Sequence, residues 1–235
     1  MGLEGKVAVV TGASKGIGKA IAEQFGREGA RLVISARHED VLRKVNDELK
    51  SSGVESMAVV ADMSIEDDVK KLVKTAAEKF GRIDVLVNNA GFGMFKPVSE
   101  MTTEEYDRLF NVNVRGVFVA SREVLKYMIE QNDGVIINIA SLAGKNAVEN
   151  GAVYAATKWA MLGFGKSLML EVRKHNIRVI TICPGSVDTD FSFGHSPNRD
   201  KVLKPDDVAE AAVLAASLPA RAMMSEIDLR PTNPK

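Results

Sequence analysis

Apolar and polar positions follow two alternating rhythms along this chain. Short apolar runs, mostly rich in β-branched residues, occupy Val7–Val10, Leu32–Ser35, Ser56–Ala61, Val85–Val87, Val135–Ile139, Arg178–Ile182 and Glu226–Leu229, and each reads as a β-strand. Between them, apolar residues recur at helical spacing over Ile17–Glu28, Glu39–Lys50, Ile65–Lys79, Thr103–Gln131, Ala152–Lys174 and Pro205–Ser217, which predicts six helices. Strand and helix alternate as in repeated β-α units, so the sheet is expected to be parallel. Right-handed helical crossovers between parallel strands then place helices on both faces. The expected fold class is α/β, a doubly wound seven-stranded parallel sheet in the order 3-2-1-4-5-6-7.

No repeat, low-complexity tract or Pro/Gly/Ser linker interrupts this pattern, so residues 1–235 are read as a single domain. The irregular stretch 191–204, which carries Gly194, Pro197 and Asn198 between a strand end and a helix start, is a candidate substrate lid. Composition narrows the function classes. With 46% hydrophobic and 26% charged residues, and Lys+Arg and Asp+Glu at 31 each, the chain has a core-forming composition and no net field toward nucleic acid or an anionic membrane. A small-molecule partner is expected, with no nucleic acid and no membrane. The amino-terminal residues lack a signal-peptide core and the lone Cys183 implies no intramolecular disulfide, so a cytoplasmic location is expected.

Chemistry enters directly after the first strand, at Thr11-Gly12-Ala13-Ser14-Lys15-Gly16-Ile17-Gly18. Glycines at a strand-to-helix turn let a backbone pass close to a pyrophosphate, and the helix start supplies unpaired N–H groups and a partial positive charge. This is the dinucleotide-site arrangement of a Rossmann-like fold, with cofactor contacts expected from Gly12, Ser14, Lys15, Gly16, Ile17 and Gly18. At the end of the second strand, where a ribose-binding acid would favour NAD, the residues are Ala36 and Arg37. Lys15 and Arg37 are two cations able to flank a 2′-phosphate, so NADP(H) is the expected cofactor. Asp62 and Met63 close the third strand beside the adenine position; Asp62 also fits a helix-capping role ahead of Ser64.

Three motifs in order, Thr11–Gly18, Asn88-Asn89-Ala90-Gly91 after the fourth strand, and Tyr154-Ala155-Ala156-Thr157-Lys158 opening a helix, resemble the short-chain dehydrogenase/reductase family. The resemblance runs from about Lys6 to about Lys204. It implies an oxidoreductase in which Tyr154 is the acid/base, Lys158 holds the nicotinamide ribose, Ser141 hydrogen-bonds the substrate oxygen and Asn113 anchors a proton-relay water. It further implies that Asn89 and Ala90 line the cofactor and that Pro184, Gly185, Val187 and Thr189 hold the carboxamide. Independently of the family, Tyr154 and Lys158 lie one helical turn apart on one face, so an ammonium beside the phenol is expected to lower its pKa from near 10.

The expected reaction is reduction of a ketone or aldehyde by NADPH with Tyr154 as proton donor. Met94, Phe95, Ala143, Val148 and Phe191, with Phe92, are expected to wall a mostly apolar substrate pocket. A 3-oxoacyl-carrier-protein reductase ranks second, because Glu130 and Asp133 stand where docking cations would help, although Arg173 and Lys174 follow the next helix. An NAD-dependent alcohol dehydrogenase and a catalytically silent NADP-binding regulator are the other readings. The scattered His38, His175 and His195 give no metal-ligand spacing, so no metal is expected. The segment "SEIDLRPTNPK" departs from the family's usual glycine-rich tail. Helices 103–131 and 152–174, with Phe118, Trp159, Met161 and Phe164, are expected to pair across a homodimer or homotetramer.

Overall fold

The computed structural model describes residues 2–191 and 201–232. The strands are β1 (Val7–Thr11), β2 (Arg31–Ala36), β3 (Ser56–Val60), β4 (Val85–Asn88), β5 (Gly134–Ile139), β6 (Ile177–Pro184) and β7 (Glu226–Leu229). They form one sheet in the order β3-β2-β1-β4-β5-β6-β7, and every neighbouring pair is parallel. The expected topology is therefore present strand for strand.

Two apolar layers explain why the central strands are hydrophobic at consecutive positions rather than at alternate ones. Successive side chains of a strand point to opposite faces. Ala8, Val10, Leu32, Ile34 and Ile137 face a layer built with α1 (Gly16–Arg27), α2 (Glu39–Ser51) and α7 (Pro205–Ser217), through Ile21, Phe25, Leu42, Leu49 and Val208. Val9, Val33, Leu86, Ile136 and Val179 face the opposite layer, where α3 (Glu66–Phe80), α5 (Gly116–Gln131) and α6 (Ala152–Val172) contribute Leu72, Val124, Met128 and Leu168. Each large side chain so enclosed contributes roughly 1.5–3 kcal/mol of transfer free energy. At the amino ends of the strands, the Asp84 carboxylate accepts from the Val7 amide at 2.8 Å, the Lys6 ammonium at 3.2 Å and the Arg82 guanidinium, tying β1 to β4. Burial pushes this acid up, but the Arg82 and Val7 hydrogen bonds and the charges of Lys6 and Arg82 together bring Asp84 below its ordinary value.

The segment expected as one helix over 103–131 follows one helical path with a slip inside it. After α4 (Thr103–Phe110), which opens on a Thr102–Glu105 capping box, residues Asn111–Arg115 form a π-helical turn before α5 resumes α-helical bonding. Gly116, the first residue of α5, lies where a Cβ would stand 2.5 Å from the Met63 carbonyl oxygen, so only glycine lets the helix close onto the end of β3. Of the expected lid 191–204, residues 192–200, including His195, lie outside the described residues. Leu203 pairs with Val187 in a parallel bridge, and Lys204 precedes α7. Among the described residues no helix is long and apolar enough to cross a membrane.

Candidate active site

The carboxyl ends of the strands open into one crevice of about 880 Å³, within the range of cofactor and ligand sites. Its first wall is the glycine turn. Thr11 Oγ1 donates to the Val87 carbonyl at 3.1 Å and accepts from the amides of Asn89 and Ala90, so the ends of β1 and β4 are fixed to one another. The Asn89 side-chain amide donates to the carbonyls of Thr11 and Gly12 at 2.9 and 3.1 Å. Gly12 has φ +67°, and a Cβ on it would lie 2.8 Å from Ala90 Cα. Helix α1 then starts with no side-chain cap at Lys15 and no acid in its first turn. Its leading amides thus face the crevice without an internal acceptor, which fits an anionic pyrophosphate.

The structure brings most of the expected cofactor residues to this crevice: Gly12, Ser14, Lys15, Gly16 and Ile17 at the turn, Arg37, Asp62 and Met63 at one end, Asn89 and Ala90 along the floor, and Pro184, Gly185, Val187 and Thr189 opposite. Gly18 does not line it. A Cβ there would meet Gly12 O at 2.4 Å and Asn89 Nδ2 at 2.3 Å, so Gly18 serves the packing of helix on strand. Ala61, Val112, Ile139, Ala140 and Asp190 also line the crevice and were not expected. Three of them, Ala61, Ile139 and Ala140, end or directly follow a strand, which is the signal that would have found them, since parallel strands all finish at one edge.

Both expected phosphate cations face carboxylates. Lys15 Nζ lies 3.0 Å from Asp190 Oδ2, and Arg37 Nη1 lies 4.0 Å from Asp62 Oδ2. Asp62 also accepts from the amide and hydroxyl of Ser64 at 2.8 and 2.7 Å. Burial raises its pKa, but the Ser64 hydrogen bonds and, beyond them, the Arg37 charge bring it below the usual carboxylate value. Asp62 therefore lines the crevice but does not cap a helix: α3 is preceded by Ile65 with no side-chain cap, and the Ser64 bonds close a turn ahead of it.

Tyr154, Lys158, Ser141 and Asn113 converge at the other end. Ser141, two residues past β5, caps the turn that follows, accepts from the Ala143 amide at 3.1 Å and hydrogen-bonds the Tyr154 side chain. Lys158, fully enclosed, donates to the Ile139 carbonyl at 3.0 Å and lies 5.9 Å from the Tyr154 ring centre. Asn113, in the π-turn, accepts from the Phe92 amide at 3.1 Å and donates to Phe92 O at 2.9 Å and Thr157 Oγ1 at 3.1 Å. Both donors of its amide are committed, so only Oδ1 has capacity left for a water. In the protein alone, acidity departs from the expected direction: burial pushes the Tyr154 phenol up to about 12 against the Ser141 hydrogen bond, which lowers it. Burial likewise lowers Lys158 to about 8. Desolvation is thus the largest cause of both shifts, and each favours the uncharged form.

The aromatic wall is formed by Phe95 and Phe191, whose ring centres lie 5.1 and 5.7 Å from that of Tyr154. Phe191 and Phe92 line the crevice, whereas Met94, Phe95, Ala143 and Val148 do not. Ala143 is buried under the Ser141 turn, and Val148 packs toward Gly151 and Phe95, behind the wall. Met161 turns inward, its sulfur 3.6 Å from Lys158 Nζ, and is unavailable to a subunit face. Phe118 and Trp159 remain exposed, while Phe164 is partly buried against Phe118. Among the described residues no group of three or more His, Cys, Asp or Glu is placed to hold a metal.

Known proteins with this arrangement are many. Residues 6–200 match the family described as short chain dehydrogenase. An uncharacterized oxidoreductase of Staphylococcus aureus (strain MRSA252) is 35% identical over 229 residues, covering 97% of this chain and 98% of that protein. A metagenomic short-chain oxidoreductase solved in complex with NADP is 40% identical with a TM-score of 0.88, and 98% of each chain is covered. The 3-ketoacyl-(acyl-carrier-protein) reductase from Brucella melitensis, solved with NADH, is 36% identical with a TM-score of 0.92, again over 98% of each chain. Motif order, sheet topology and these full-length likenesses agree: the chain is an oxidoreductase of the short-chain dehydrogenase/reductase family.

Proposed function

We propose that this protein reduces the carbonyl of a ketone or aldehyde with NADPH. The observation that carries the reading is one continuous crevice with Lys15 and Arg37 at one end and Ser141, Tyr154 and Lys158 at the other. The uncapped start of α1 fits the pyrophosphate, the two cations fit a 2′-phosphate, and Lys158 fits ribose hydroxyls beside the reacting ring. When bound, the reduced nicotinamide supplies a hydride to the carbonyl carbon. Ser141 orients the carbonyl oxygen, and Tyr154, whose phenol stays protonated through the neutral range, delivers its proton there as negative charge develops. The phenolate left behind regains a proton along Lys158 and water. Phe191 and Phe92 present apolar surface to the substrate, which favours a hydrophobic carbonyl over a charged one.

Titration with NADPH and NADH tests the cofactor: NADPH is expected to bind at least tenfold more tightly at low salt, and equal affinity would remove the assignment. A panel of aryl ketones, quinones and 3-oxoacyl thioesters then separates small-carbonyl from thioester reduction. The likeness to a ketoacyl reductase supports the thioester reading as second. We also propose a homodimer or homotetramer across helices α4–α5 and α6, because Phe118, Trp159 and Leu170 leave large apolar side chains exposed there. Light scattering is expected to give two or four times 25.4 kDa; a monomer at micromolar concentration would overturn it.

A further inference from the structure

We infer that Asp190 is a built-in counter-anion at the phosphate end of the crevice and limits how strongly the protein prefers NADPH over NADH. The inference rests on the cofactor reading above and adds to it the residue that tempers the preference.

Asp190 is delivered to its position by backbone anchoring. The segment that follows β6 is held from behind: the Gly185 amide donates to Leu229 O at 2.8 Å, the Asp188 amide to Leu203 O at 2.7 Å, and the Leu203 amide to Ser186 O at 3.0 Å. Asp188 adds an ion pair to Lys204 at 3.0 Å. With its rear edge fixed on β7 and on Leu203, the segment projects Thr189 and Asp190 over the glycine turn. Gly16, at φ +57°, permits the approach: a Cβ there would lie 3.2 Å from Thr189 Cγ2. One residue on, the Asp190 carboxylate reaches Lys15 Nζ at 3.0 Å across a chain separation of 175 residues.

This pair differs in kind from the one at Arg37. Asp62 is committed to Ser64 through two hydrogen bonds and stands 4.0 Å from Arg37, at the limit of an ion pair. The Lys15 and Asp190 side chains are 69% and 73% exposed, so their contact is made in water and exchanges with an arriving anion at small cost. A 2′-phosphate that recruits Lys15 must first displace Asp190 from it. A ribose hydroxyl in the same place carries no charge and needs neither cation. Asp190 therefore weakens the binding of NADPH more than that of NADH, which brings only the pyrophosphate to this turn.

The test is fluorescence titration of the full chain with each reduced cofactor, using wild type, D190N, K15A and the K15A/D190N double variant. D190N is expected to tighten NADPH about three- to fivefold, the size an exposed ion pair supports, with a smaller change for NADH. The gain is expected to shrink toward zero at about 0.5 M salt, where surface charges are screened, and to vanish in the K15A background. An unchanged NADPH/NADH affinity ratio in D190N overturns the inference, as does the same gain without Lys15. The cofactor reading fails separately: wild-type preference for NADH would defeat it, while a shift of the ratio toward NADPH in D190N would still uphold the role of Asp190.

Discussion

Replacing Tyr154 by Phe is expected to lower kcat by about 10²–10⁴-fold, the contribution of a positioned general acid, while NADPH affinity stays within about twofold. The asymmetry follows from where the hydroxyl sits. Its ring is held by Phe95 and Phe191, contacts that Phe preserves, and the hydroxyl engages Ser141 rather than the glycine turn or the cationic end. Steady-state kinetics and cofactor titration on one preparation check both halves. Residual turnover above a tenth of wild type would remove Tyr154 as the proton donor, and loss of NADPH binding would show that the ring supports the site instead.

Lys158→Met is expected to lower kcat by about 10²–10³-fold, as removal of a charge that stabilises a developing anion does, and yet to raise thermal stability. Burial depresses this lysine from 10.5 to about 8, so at neutral pH the folded state carries an enclosed ammonium at a cost of about 3 kcal/mol. Met removes that charge, while the Ile139 carbonyl loses a charged donor, offsetting about 1–2 kcal/mol. A net gain of about 1–2 kcal/mol corresponds to roughly 3–6 °C for a domain of this size. Between pH 8 and 10.5 the folded lysine sheds its proton while the unfolded one keeps it, so wild-type stability rises with pH and its deficit against the variant closes. Calorimetry at pH 7 and pH 10 measures the deficit; a variant less stable than wild type at pH 7 would contradict the burial cost.

Most of the architecture could be read from residues alone because the central strands are apolar on both faces and several turns at the sheet's carboxyl edge carry their own chemistry. Val7–Val10 followed by glycines, Val85–Val87 followed by Asn89, and Tyr154 four residues before Lys158 are local patterns, and local patterns survive in a sequence. What escaped was decided by distant neighbours. The Lys15–Asp190 pair joins opposite ends of the chain. The acidity of Tyr154 depends on how completely its surroundings exclude water, which spacing along a helix does not record. Helix α6 is apolar around much of its circumference, so periodicity could not show that Met161 turns inward while Trp159 turns out. Nor does a change from α to π hydrogen bonding leave any mark in composition, so the expected single helix over 103–131 hid its slip at Asn111–Arg115.

That slip has a bearing on how the enzyme tolerates change in length. A π-turn houses one residue more than an α-helix of the same rise, and such insertions persist mostly where they aim a side chain. Asn113 uses the extra residue to clasp the Phe92 backbone and Thr157 at once. Deleting a single residue there would give a more regular and better-bonded helix, but it would swing the asparagine by about a quarter turn and let go of the loop that follows β4. The shorter chain would keep its sheet and lose its grip on the reacting end of the crevice.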